Sequence, residues 1–248
     1  MVNKKNQIIT IGISGASCTG KTTFASLLQK IFPNSTILHQ DDFFKKKEQY
    51  PIDPITNLAN GECPEALDFS SFINSLYNLR TSPTFIKSFK SKKNHLIDNI
   101  ESDELNDLIK ELNDQVQNIL SNNNNNEKEL NFVIVDGFLL YINSDVIKEL
   151  DIKIFLEADY DTLKKRREFI YGKKIPDRNW VDPPNYFDQM VWPNYYKANN
   201  HIINRYVLDG ENDDILKDLI VLKSGNLSIL SKNIKNVVNI ILDLIKVK

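Results

Sequence analysis

Apolar positions along this chain fall into two rhythms. Short, β-branched runs at Ile8-Ile9-Thr10-Ile11-Gly12-Ile13, Ile37-Leu38, Phe132-Val133-Ile134-Val135 and Ile152-Lys153-Ile154-Phe155-Leu156 read as buried strands. Tyr206-Val207-Leu208 is the candidate for a fifth. Between them the period lengthens. Phe24, Leu27, Leu28, Ile31 and Phe32 fall at i, i+3, i+4, i+7 and i+8, the apolar stripe of a helix that Pro33-Asn34 closes. A second helix is expected from Asp68, an N-cap residue, through Phe69, Phe72, Ile73, Leu76 and Tyr77. Strands separated by helices predict an α/β fold, a mostly parallel five-stranded sheet flanked by helices on both faces.

Two stretches break the rhythm. Residues 45–66 are irregular, punctuated by Pro51, Pro54, Gly61 and Pro64. The segment 85–131 opens with Lys87, Lys90, Lys92 and Lys93, and continues as a helical pattern (Leu105, Leu108, Ile109, Leu112, Val116, Ile119). It ends in the homopolymer Asn122 to Asn126. Asparagines have no apolar surface to bury, so that run reads as a disordered loop. The segment as a whole is expected to be an insertion on a single domain spanning 1–248, removable at 87–128 without loss of folding or activity.

Composition narrows the class without naming it. Of 248 residues, 41% are hydrophobic and 26% charged, enough for a sizeable core, and the net charge is -2. That balance offers no pull toward nucleic acid or a membrane surface. The two cysteines, Cys18 and Cys63, make no disulfide framework. The apolar run Ile8–Ile13 is too short for a signal peptide or a membrane span, so a cytoplasmic protein, possible also in the nucleus, is expected. A monomer or weak homodimer is the expected state.

The chemistry begins at Gly15-Ala16-Ser17-Cys18-Thr19-Gly20-Lys21-Thr22, a G-x-x-x-x-G-K-T loop between the first strand and first helix. Its glycines let the chain turn so that successive N–H groups converge on phosphate oxygens. The helix starting near Lys21 adds about half a positive charge at its N-terminus. Lys21 then reaches the β- and γ-phosphates, the Thr22 hydroxyl is a Mg²⁺ ligand, and Thr23 completes the nucleotide contacts. By average residue frequencies the pattern arises by chance in about one percent of chains this long, before its flanking strand and helix are required.

Such loops serve switches, motors and kinases alike. The Asn-Lys-x-Asp signature of guanine-reading switches is absent. Asp41 and Asp42 follow the second strand, and Asp136 ends the third, at the edge where parallel sheets bind ligands. A carboxylate there orients an acceptor hydroxyl and helps hold Mg²⁺. Asp42 has an equally good reading as a turn residue satisfying backbone N–H groups. Leu163-Lys164-Lys165-Arg166-Arg167, followed by a Pro/Gly-containing stretch, suggests a lid at about 168–185 that brings positive charge to the transferring phosphate.

Together these residues resemble the nicotinamide riboside kinases. The matching pieces are Gly12 through Thr23, Gln40-Asp41-Asp42-Phe43-Phe44-Lys45, Pro64-Glu65-Ala66-Leu67-Asp68, Asp136-Gly137-Phe138-Leu139-Leu140, Lys165-Arg166-Arg167, Pro183 to Asp188, Val191-Trp192-Pro193 and Leu208-Asp209-Gly210. The resemblance implies a P-loop, nucleoside monophosphate kinase-like fold. It also implies transfer of the ATP γ-phosphate to the 5′-hydroxyl of nicotinamide riboside, with nicotinic acid riboside as a second substrate, in NAD synthesis. By carry-over, Asp41 accepts the proton and, with Thr22 and Asp136, holds Mg²⁺. Asp41, Asp42, Phe43 and Phe44 line the riboside site, Arg167 contacts the riboside, Arg166 contacts ATP, and Asn212, Asp213 and Asp214 form the adenine-side loop. The family often places an aromatic residue and Asp where this chain has Gly61-Glu62. Glu62 then serves the ribose hydroxyls, and Tyr171 or Phe44 must cover the cationic ring. The family's further lid arginine is replaced near Ile170, with Lys173, Lys174 or Arg178 as substitutes. The competing readings are a uridine/cytidine kinase and a nucleotide-binding regulator without transfer activity.

Overall fold

The two apolar rhythms sort into sheet and cover in a computed structural model of the protein, which describes residues 7–89, 102–123, 130–173, 180–204, 216 and 218–247. The strands are β1 (Gln7–Gly15), β2 (Ser35–His39), β3 (Leu130–Asp136), β4 (Ile152–Glu157) and β5 (Leu219–Lys223). They form one sheet in the order β2-β3-β1-β4-β5, and every neighbouring pair is parallel. The fifth strand is therefore Leu219-Ile220-Val221-Leu222-Lys223, a run the sequence reading passed over. Tyr206 to Leu208 lie outside the described residues. So do most of the lysine cluster, Asn124 to Asn126, Lys174, Arg178 and Asn212 to Asp214.

Helices α1 (Lys21–Ile31), α2 (Phe69–Thr81), α3 (Pro83–Ser88), α4 (Asp103–Asn123), α5 (Ser144–Lys148), α6 (Tyr160–Tyr171), α7 (Trp192–Ile203) and α8 (Leu227–Val247) cover both faces. Because strand side chains alternate, β3 feeds two cores. Phe132 and Ile134 pack with residues of α1, α4 and α8, whereas Val133 and Val135 pack with residues of α2, α5 and α7. Helix α2 starts as its sequence requires, with Asp68 accepting from the Ser71 N–H at 3.0 Å. Its buried stripe is Phe72, Leu76 and Leu79, while Tyr77 is 56% exposed. The stripe thus drifts by part of a turn from the one expected.

The region read as an insertion is bound into the core through α4. Leu105, Leu112 and Val116 are at most 1% exposed and join the cluster of α1 and α8. Asn113 donates to the Ile31 carbonyl at 2.8 Å, closing the C-terminus of α1. Excising 87–128 would strip three fully buried aliphatic side chains from that cluster, about 1.5–3 kcal/mol each. Unperturbed folding after that deletion is not what this packing allows. Helix α6 runs unbroken to Tyr171, so the first residues of the expected lid are helical. No helix among the described residues is long and apolar enough to cross a membrane.

Candidate active site

The register places Ile13 beside Asp136 and Asp136 beside His39, so the carboxyl ends of β1, β3 and β2 stand in a row. The chain leaves β1 toward β2 on one side of the sheet and reaches β4 on the other, the switch point where open α/β sheets bind ligands. The loop there depends on its glycines. A Cβ at Gly15, where φ is +144°, would lie 2.3 Å from the Leu156 carbonyl oxygen of β4. Gly20, at φ +92°, caps α1. Thr19 tightens the turn by donating its hydroxyl to the Ala16 carbonyl at 2.9 Å, and Lys21 Nζ donates to the same oxygen at 2.9 Å.

Behind the loop lies a compact polar corner. Thr22 Oγ1 donates to Asp136 Oδ2 at 2.7 Å, and His39 Nδ1 lies 3.0 Å from the same oxygen. Burial alone would push the Asp136 carboxyl up. Hydrogen bonding from His39, the nearby Lys21 charge and the Thr22 hydroxyl outweigh it and hold the group below the usual carboxylate range. His39 carried no role in the sequence reading; its position just before Gln40-Asp41 was the available signal.

The 3₁₀ turn Gln40–Phe43 then decides which of its residues face the ligand space. In a period of about three, Asp41 and Phe44 share a side. Both line the cleft. Phe43 instead packs edge-on against Phe72 at 5.3 Å, and Asp42 is 8% exposed beneath the turn. The expectation that Asp42 and Phe43 line the riboside site is corrected accordingly.

Two compartments meet over the loop. One, of about 440 Å³, is bounded by Asp41, Phe44, Tyr50, Glu62, Arg167 and Trp180 among others. The second, of about 400 Å³, is bounded by Thr19 to Phe24, Arg166, Ser224, Gly225 and Asn233. Cys18, Lys21, Thr22 and Tyr171 belong to both. Adjacent arginines of α6 serve different sides. Arg166 Nη1 donates to Ser224 Oγ at 2.8 Å and to the Cys18 carbonyl at 3.3 Å, while Ser224 Oγ donates to the Thr19 carbonyl at 2.7 Å. This ties the phosphate loop to the end of β5, a link invisible while β5 was unassigned.

Arg167 is 6% exposed and fully engaged. It grips Asp182 bidentately at 2.7 and 3.0 Å, Glu62 Oε1 at 3.0 Å and Ser17 Oγ at 2.9 Å, with the Tyr171 ring centroid 4.5 Å from its guanidinium carbon. Burial works against its charge, but Glu62 and Asp182 hold the guanidinium firmly protonated. For Glu62, burial wins and raises the carboxyl despite the pull of Arg167.

Thr22, Asp136 and Asp41 offer a hydroxyl and carboxylates on one cleft, oxygen donors suited to Mg²⁺. No group of three or more His, Cys, Asp or Glu gathers for a metal among the described residues. Mg²⁺ does not need one, since it is commonly held by one or two carboxylates together with phosphates and water.

The chain is 35% identical over 194 residues to the nicotinamide riboside kinase of Schizosaccharomyces pombe, covering 78% of this chain and 80% of that protein. It is 35% identical over 207 residues to the nicotinamide riboside kinase of Saccharomyces cerevisiae, covering 81% and 80%. This chain belongs to the nicotinamide riboside kinase family. Nicotinamide riboside kinase 1 of Homo sapiens is more distant, 27% identical over 188 residues, covering 75% of this chain and 74% of that protein. No protein-family model matches the chain.

Within the family pattern, Gly61 was the weak point, because it carries no ring. A Cβ at Gly61 would lie 3.1 Å from Cε2 of Tyr50, so the Tyr50 ring occupies the space a side chain at 61 would enter. Burial, with the charges of Asp41 and Glu62, pushes the Tyr50 hydroxyl up. Trp180 donates Nε1 to Asp182 Oδ1 at 2.7 Å and meets Tyr186 edge-on at 5.7 Å. Phe44 stacks on Phe138 at 5.8 Å. Tyr171 and Phe44 line the compartment, and Arg167 takes one face of Tyr171. Tyr50, Trp180 and Tyr186 went unassigned by sequence because they come from irregular segments with no periodicity to expose them.

Proposed function

We propose that this kinase transfers the γ-phosphoryl group of ATP to the 5′-hydroxyl of nicotinamide riboside, and of nicotinic acid riboside as a second substrate, yielding the mononucleotides for NAD synthesis. The observation that carries this reading is the meeting of two compartments at Lys21 and Thr22, with Asp41 on the acceptor side. ATP occupies the compartment of Arg166 and Ser224, and its phosphates run over the loop N–H groups and the N-terminus of α1. Lys21 leaves the Ala16 carbonyl to bridge the β- and γ-phosphates. The loop residues Gly15 to Thr23 thus hold the donor.

The riboside occupies the other compartment. Glu62, held in place by Arg167, takes the ribose hydroxyls, and the aromatic side chains of Tyr50, Trp180 and Tyr186, backed by the carboxylates of Glu62 and Asp182, suit a cationic pyridine ring. Asp41 orients the 5′-hydroxyl and receives its proton late, since a carboxylate is a weak base. Thr22, Asp136 and Asp41 would hold Mg²⁺, which when bound neutralises phosphate charge.

Purified protein with ATP, Mg²⁺ and a panel of nicotinamide riboside, nicotinic acid riboside, uridine and cytidine tests this, with products identified by mass. Nicotinamide mononucleotide should dominate. Uridine or cytidine turnover well above that of nicotinamide riboside would replace the acceptor. Tight ATP binding with no product from any riboside would favour the regulator.

A further inference from the structure

Lys47 stands at the mouth of the riboside compartment, on the 3₁₀ turn Lys47–Gln49, with Nζ 4.4 Å from the centroid of the Trp180 ring. Among the described residues, three cations line this compartment, Lys21, Lys47 and Arg167. Lys21 is held within the phosphate loop, and Arg167 is consumed by Glu62 and Asp182. Among the described residues no carboxylate pairs with Lys47. Its contact is an aromatic face whose own orientation is fixed by Asp182. An ammonium parked on the π-face of a ligand-site wall is weakly held and ready to meet an anion.

We propose that Lys47 is the specificity residue for the substituent on the pyridine ring, pairing with the carboxylate of an acid riboside and opposing the bare positive charge of an amide riboside. The inference rests on the riboside kinase reading above. The two substrates differ by one negative charge at the ring substituent. A cation beside the ring therefore acts on them in opposite directions, which is the economical route to selectivity. The lysine is exposed, so solvent screens it and the effect is modest, about fivefold in the ratio of specificity constants.

The test measures kcat/KM for nicotinic acid riboside and nicotinamide riboside with wild type, Lys47→Gln, Lys47→Glu and Lys47→Arg at low salt. The acid-to-amide ratio should fall about fivefold in Lys47→Gln and further in Lys47→Glu, mainly through KM, and stay near wild type in Lys47→Arg. The fall should shrink at about 0.5 M salt, where the screening length is only a few ångströms. An unchanged ratio across all variants, or a wild type that takes the amide and refuses the acid, overturns the role of Lys47 and leaves the kinase reading standing. A wild type that phosphorylates neither riboside removes both.

Discussion

The two compartments over the phosphate loop are built by different means. The nucleotide side is laid along one continuous segment, Cys18 to Phe24, which residues of α6 and the end of β5 close over. The riboside side gathers Asp41, Phe44, Tyr50, Glu62, Arg167, Trp180 and Tyr186 from stretches far apart in the chain. Two carboxylates that line the riboside side respond oppositely to burial. Three polar neighbours outweigh burial at Asp136 and lower its pKa, while one arginine shared with Asp182 fails to do so at Glu62. A contiguous loop takes its shape from its own backbone, whereas a cleft of side chains paired across the chain depends on each partner.

The largest expected effect lies between the two sides. Asp41→Ala should lower kcat by about 10³-fold, because it removes acceptor positioning and proton acceptance together. ATP binding, measured by calorimetry, should change little. Comparable loss of ATP affinity would place Asp41 on the nucleotide side and erase the contrast.

Next comes the riboside side's keystone. Arg167→Met leaves Glu62 and Asp182 buried without their cation and should cost about 3–5 kcal/mol in denaturant unfolding. Its neighbour gives the matched control. Arg166→Ala removes bonds to Ser224 and the Cys18 carbonyl without stranding a buried charge, so stability should fall by about 1 kcal/mol or less. The KM for ATP should rise about tenfold while that for the riboside barely moves. Equal destabilisation by the two variants would show that the Arg167 network contributes no more to stability than the Arg166 bonds do.

The smallest effect is in pH dependence. Glu62 has its carboxyl raised in the folded state, so the folded protein binds more protons there than the unfolded chain does. That contribution to stability is complete below the unfolded value of about 4.3 and is lost as pH rises through the folded value. Glu62→Gln should therefore gain stability relative to wild type as pH is raised from about 4 toward neutrality. The opposite slope in paired thermal melts would mean that Arg167 dominates burial at this site.

Legibility followed the same division. The glycine loop, the strand ends bearing Asp41 and Asp136, and the Arg166-Arg167 pair could be read directly, because each is a local pattern in a regular element. Asp42 and Phe43 could not be separated from Asp41 and Phe44. Only the 3₁₀ turn, which rotates every third side chain to one side, distinguishes them. β5 escaped notice as a short run of five residues, and Ser224 escaped with it. Helix α4 was correctly read as helical, but its burial against α1 and α8 is a long-range fact that periodicity does not carry.

By itself, then, the sequence determined an α/β fold with a phosphate loop between a strand and a helix, because strand and helix periodicity and the glycine loop are local patterns. Only the tertiary structure decided that Tyr50 fills the space over Gly61, that Arg167 is spent on Glu62 and Asp182, and that Lys47 rests on Trp180. Those pairings join residues from 11 to 133 positions apart. Side chains so far separated meet through packing, which no local pattern records.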